Sequence, residues 1–221
     1  VLKYAKERSA GRYLVSIPDI QMGLDVLASL IGTQNLLYSL IDSPSRIHQL
    51  QRKLIDIWKL VYNKLYHIVK EEDGWSSYTH FYIWGPGKVS TLQCDFSSMI
   101  SPAMFEEFMI PYLKEYAKEL DCNIYHLDGP DSLRHLDLLL DVNEIQCIQW
   151  TPGAGNPDGG DPCWDSLYKR TLDKGKCIYA LVSSANVLDF VKRFGKKGVY
   201  IRTNIENRDE AVELLDAITR L

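Results

Sequence analysis

Residues Cys94–Gly129 read CDFSSMISPAMFEEFMIPYLKEYAKELDCNIYHLDG. Two elements are written there. Ser101-Pro102 supplies an N-cap and a first-turn proline, the usual opening of a helix. Phe105, Phe108 and Tyr112 then recur three or four apart on one face and carry the helix towards Leu120. Cys122–Gly129 follows as a short, near-continuous apolar run, the pattern of a strand buried on both faces in a parallel sheet. His126 and Asp128 stand two apart in it, so on a strand they point to the same face.

The same strand-then-helix pattern recurs on both sides. Tyr13–Asp19, His80–Gly85, Glu144–Trp150, Cys177–Ser184 and Gly198–Ile205 are the other strand-like runs. A long helix is predicted from Ser43-Pro44 to near Asp73-Gly74, with Ile47, Leu50, Leu54, Ile57, Val61, Leu65 and Ile68 on its apolar face. Further helix starts stand at Asp161-Pro162, Asn186 and Asn207, the last with Glu210 at capping-box spacing. Alternation of this kind predicts an α/β fold of parallel strands joined by helical crossovers. Six units are visible where a closed (β/α)8 barrel needs eight. Periodicity leaves two architectures open: a doubly wound sheet, or a barrel short of two units. Residues 1–221 are expected to form a single domain.

Composition excludes several classes. Hydrophobic residues make up 46% and charged residues 24%, with a net charge of -4, as in ordinary globular proteins. The densest basic cluster, Lys192, Arg193, Lys196 and Lys197, reads as the solvated end of a helix, which argues against a nucleic-acid partner. No apolar run reaches the roughly 18 residues of a membrane span. The cysteines Cys94, Cys122, Cys147, Cys163 and Cys177 are odd in number and form no CxxC pair, so a reducing cytoplasm is expected and a zinc ribbon is not. No signal peptide opens the chain, and the lack of an initiator methionine at Val1 suggests a processed or truncated start.

Ile100-Ser101-Pro102, the Phe105–Phe108 pair, Pro111-Tyr112 and the strand ending His126–Gly129 together resemble the uroporphyrinogen decarboxylase superfamily. The likeness continues more weakly through the Trp150 strand and the GVYIRTNIEN segment. It implies a (β/α)8 TIM barrel of which this chain supplies the C-terminal βα units, about six, with the first two upstream, on another chain, or lost. Two departures place the chain nearer the corrinoid-linked methyltransferases than the true decarboxylases. Tyr13–Asp19, YLVSIPD, lacks the decarboxylase-type segment expected on that strand. The methyltransferase branch carries a His-x-Cys zinc pair and a further Cys on the last strand. This chain keeps His126, but has Asp128 in place of the Cys, and Arg202 and Thr203 on the last strand. The zinc-thiolate set is therefore not intact. His nitrogen and Asp oxygen still suit zinc, yet the sequence names no third ligand.

Active sites of such barrels lie at the C-terminal ends of the strands. That rule selects His126 and Asp128 as the chemical centre, as general acid or as metal ligands. Asp95 joins them as a catalytic candidate beside developing charge. Asp19, Trp84, Tyr125, Trp150 and Arg202 are expected to bind substrate: the tryptophans as pocket walls, Arg202 as the cation for a carboxylate. The competing reading of Asp128 is a cap for the helix near Pro130, with His126 as a core histidine. His135 is expected on a helix surface, His80 at the far end of its strand, and Gly153–Gly160 as a mobile loop over the site. The implied activity is methyl transfer to or from a small molecule, with zinc on this chain and a corrinoid on a partner protein. Decarboxylation of a tetrapyrrole or other carboxylic acid is the alternative, with no cofactor. A third reading is a non-catalytic partner that completes a barrel or docks a corrinoid protein, as a homo-oligomer or with the missing N-terminal segment.

Overall fold

The computed structural model describes residues 1–221. Four helices come first: α1 (Leu2–Ser9), α2 (Gly23–Ile31), α3 (Thr33–Asp42) and α4 (Pro44–Val69). A hairpin of β1 (Ser76–Tyr78) and β2 (Ile83–Gly85) follows. The rest alternates: β3 (Val89–Gln93), α5 (Pro102–Phe108), α6 (Ile110–Lys118), β4 (Cys122–Asp128), α7 (Leu136–Leu140), β5 (Cys147–Thr151), α8 (Asp165–Asp173), β6 (Cys177–Leu181), α9 (Val187–Phe194), β7 (Val199–Arg202) and α10 (Arg208–Arg220).

Strands β3 to β7 form one parallel sheet in chain order. A doubly wound sheet reverses its order at a switch point; this one does not. Right-handed crossovers that always step the same way leave every connecting helix on one face. The result is an α/β fold with a five-stranded parallel sheet and ten helices, an arc of the kind found in β/α barrels.

The two faces of the sheet differ. Leu92, Tyr125, Leu127, Ile148, Trp150, Ile178 and Ala180 point to the helices and join the main core. Ile124, Cys147 and Tyr179 point the other way and pack with Phe81 in a separate small cluster. That inner face is overlain by residues 79–83, where the chain crosses it.

Two predicted strands are not in this sheet. Tyr13–Asp19 contributes only a bridge, Ile17 to Tyr78. In the His80–Gly85 run the backbone turns through a single 3₁₀ turn, with Phe81 at φ 63° and Tyr82 at φ 54°, before β2 begins. Its aromatic composition mimics a strand, but left-handed residues cannot continue one. The first strand of the sheet is instead Val89–Gln93, whose polar Ser90, Thr91 and Gln93 are all buried and break the apolar pattern.

Helix α4 ends at Val69 and buries Ile47, Gln51, Ile55, Trp58, Tyr62 and Val69. This stripe is rotated about one residue from the predicted one; Ile57 and Val61 are exposed. Polar groups on the buried side caused the offset: Gln51 donates to the Phe108 carbonyl and Tyr62 to that of Val89. Asn207 caps α10 as expected, accepting from the Asp209 amide at 2.8 Å. No single helix is long and apolar enough to cross a membrane.

His135 is buried, not on the surface. Its ring stacks on Phe105 at 4.4 Å, and its Nε2–H donates to the Ser97 carbonyl at 2.9 Å. Burial holds its pKa below the ordinary histidine value. Acid therefore favours the unfolded chain, which binds the proton more readily. This contribution to stability is complete above about pH 6.5 and is lost as pH falls through that value towards the folded pKa. Thermal melts at successively lower pH should show the loss, and His135→Gln should flatten that part of the slope.

Candidate functional site

The site is built on the C-terminal ends of β3 and β4. His126 and Asp128 share the inner face, and Gln93 of β3 lies beside His126 in register. Asp95 follows β3 by two residues. Its oxygen, the His126 ring nitrogen and an Asp128 oxygen lie within 4.8 Å of one another. The third member that the sequence did not supply for a metal set is thus Asp95. Asp128 makes no cap for the turn at Pro130, whose start has no side-chain cap. His126 is half-buried, with its ring 4.9 Å from Phe81.

Two residues that the sequence reading passed over position this group. Gln149, fully buried on β5, is paired with His126 across the sheet. Its Nε2 donates to the Trp150 carbonyl at 2.8 Å and to Thr151 Oγ1 at 2.9 Å, which turns its Oε1 towards His126. His126 Nδ1 hydrogen-bonds that oxygen. A carbonyl oxygen only accepts, so Nδ1 carries a proton and Nε2 is the ring nitrogen left for the site. Asp25, buried in the first turn of α2, accepts from the Asp95 amide at 3.0 Å and the Phe96 amide at 2.8 Å, fixing the strand end that carries Asp95. Burial raises the Asp25 pKa and these two amides oppose the rise.

The donors fit a divalent cation. Burial raises the Asp95 pKa, as do the charges of Asp128 and Asp19, while His126 lowers it. A cation between the carboxylates removes that repulsion. Gln93 Oε1 is buried beside them without a hydrogen-bond partner. Ligands about 2.1 Å from a zinc ion are at most about 4.2 Å apart, so small side-chain rotations close the set. One nitrogen and two carboxylates suit zinc or a harder ion, with no soft donor among them. Gln149→Met should weaken zinc binding by about 10- to 100-fold without displacing a ligand, since it frees the imidazole that Gln149 orients. Competition against a chelator of known affinity measures this.

The remaining candidates divide. Asp19 lies at the site: it accepts from Tyr78 Oη at 2.7 Å and stands 3.7 Å from His80 Nδ1. His80, expected at the far end of a strand, is also here, its ring 5.8 Å from that of His126. Burial lowers its pKa, Asp19 opposes this and His126 adds to it. Arg202 points to the inner face from β7. Its guanidinium lies over the Tyr82 ring at 4.5 Å.

Tyr125 and Trp150 do not line the site. Both are buried on the helix-facing side, Trp150 against Trp164 at 5.0 Å. Strand alternation sends them opposite to His126. Trp84 is also displaced: Ile83 packs onto the inner-face cluster, so the next side chain turns away, and Trp84 lies half-exposed against Trp75 at 4.4 Å. Nor is the end of Gly153–Gly160 a mobile lid. Tyr168 donates to the Gly159 carbonyl at 2.6 Å, and a Cβ on Gly159 would lie 2.2 Å from the Leu181 oxygen. A separate apolar hollow of 460 Å³, lined by Val191, Leu214 and Ile218 among others, lies between α9, β7 and α10 and holds none of the cluster residues.

Phe81 and Tyr82 keep left-handed backbone without being glycine, at a cost of order 1–3 kcal/mol each. The strained turn sets three side chains on the inner face: His80 by Asp19, Phe81 on His126 and Tyr179, and Tyr82 on Arg202.

No family model matches the chain, and no curated protein matches it. A solved structure, the methyltransferase from Methanosarcina mazei, is similar over 99% of this chain with a TM-score of 0.60 and 13% sequence identity. The chain spans 62% of that protein's length. At this identity the likeness is one of fold: the five-stranded arc and its helices match part of that enzyme.

Proposed function

We propose that the protein is a metal-dependent methyl-transfer enzyme of the uroporphyrinogen decarboxylase type, its arc forming part of a (β/α)8 barrel. One observation carries this reading: Asp95, His126 and Asp128 converge at the C-terminal end of parallel strands, with His126 oriented by Gln149. Likeness of fold to a methyltransferase supports the reaction class. The three side chains would hold a zinc ion, which supplies Lewis-acid activation of the group that gives or takes the methyl. The chain's own groups do the rest. The two carboxylates balance the charge of the cation, Gln149 fixes the imidazole tautomer, and Arg202 holds the substrate. The other methyl carrier is a corrinoid on a partner protein.

Methylcobalamin serves as a test donor. Zinc-loaded protein should speed loss of the methyl–cobalt absorbance with one or more of a panel of small thiols, amines and alcohols, above the protein-free rate. Metal-stripped protein should not. Release of carbon dioxide from carboxylic acids by metal-stripped protein would favour the decarboxylase reading instead.

A further inference from the structure

The inner face is electrically divided. Asp19, Asp95 and Asp128 cluster on the side of β3 and β4, and Arg202 stands at the β7 end. Asp128 pairs with Thr151, and Leu181 with Arg202, so Asp128 and Arg202 occupy one row, three strands apart. At ~4.8 Å per strand that is roughly 14 Å along the sheet, and the long arginine side chain shortens the gap.

Arg202 lacks an acidic partner. The arginines in ion pairs are Arg134, Arg170 and Arg193. The Arg202 guanidinium lies over the Tyr82 ring, 4.5 Å from its centre. A guanidinium stacked this way keeps its in-plane N–H groups free to grip an oxyanion with two parallel hydrogen bonds.

A cavity of about 330 Å³ opens beside it at the ends of β6 and β7, lined by Asp158, Ser183, Ser184, Arg202, Thr203 and Asn204 among others. Asp158 is occupied: its carboxylate accepts from Gly160 N at 2.9 Å, Ser183 N at 3.0 Å and Asn186 Nδ2 at 3.3 Å. Thr203 Oγ1 is buried with no partner. A cation outside any ion pair, hydroxyls and an amide therefore line one hollow, together with the carboxylate of Asp158, whose oxygens are turned to their own amide donors.

We propose that this cavity is an oxyanion subsite, holding the carboxylate or phosphoryl end of a small substrate whose other end reaches the Asp95–His126–Asp128 group. The proposal rests on the inner face being the active site. The strained turn at Phe81 and Tyr82 is part of the subsite, because it sets Tyr82 on Arg202.

The test is isothermal titration of metal-free protein with inorganic phosphate and with acetate, against chloride at matched ionic strength. Saturable binding of at least one oxyanion is expected, and the tighter of the two identifies the group. Arg202→Gln should weaken it by about 10- to 100-fold, the loss expected when a charged hydrogen-bonding partner is removed. Arg202→Lys keeps the charge but not the fork and should fall between the two; it also serves if Arg202→Gln fails to fold. No saturable binding beyond chloride, or equal binding by wild type and both variants, overturns the subsite. Binding is read without metal, so failure here leaves the metal reading standing, and an absent metal leaves the subsite standing.

Discussion

His126→Ala is expected to abolish tight metal binding and methyl transfer while the fold survives. The change removes one of the three proposed ligands, whereas loss of a group that merely orients a ligand already costs about 10- to 100-fold in affinity. The structural cost is modest. His126 is half-buried, and its removal leaves Gln149 Oε1 without a partner at about 1–3 kcal/mol. That sits within the 5–15 kcal/mol stability typical of a domain. Zinc content after dialysis and a circular-dichroism melt measure the two halves. A variant that keeps its zinc, or one that unfolds, shows that His126 is a packing residue.

Trp150→Ala has the opposite signature. Trp150 is fully buried among the helix-facing core residues and packs edge-on to Trp164. Its removal should cost about 3–5 kcal/mol, visible as a large drop in the denaturant midpoint. Zinc affinity of the remaining folded protein should be unchanged, because the indole lies on the other side of the sheet from His126. If Trp150 walled a substrate pocket, the variant would lose substrate affinity with little change in stability.

These two residues show what was legible in the sequence. Strand alternation alone puts His126 and Asp128 on one face, and the structure brings them together. The same rule, applied to Tyr125, would have sent it to the opposite face. Trp150 needed the register as well: it pairs with Leu127, a helix-facing residue. Nearness to a strand end does not decide which face a side chain takes. Gln149 did leave a signal, an amide between Ile148 and Trp150 in the run EIQCIQW. Asp25 left none, since an acidic residue in a first helical turn is ordinary and its bond to Asp95 spans 70 positions. His80 was hidden by aromatic neighbours that resemble a strand, and β3 by polar residues that do not.

X-ray absorption on protein loaded with zinc addresses the central claim most directly. One zinc per chain, bound by nitrogen and oxygen with no sulfur in its first shell, is the predicted result, with His126→Ala losing the ion. Protein that retains no zinc, or zinc whose spectrum shows cysteine sulfur, contradicts it.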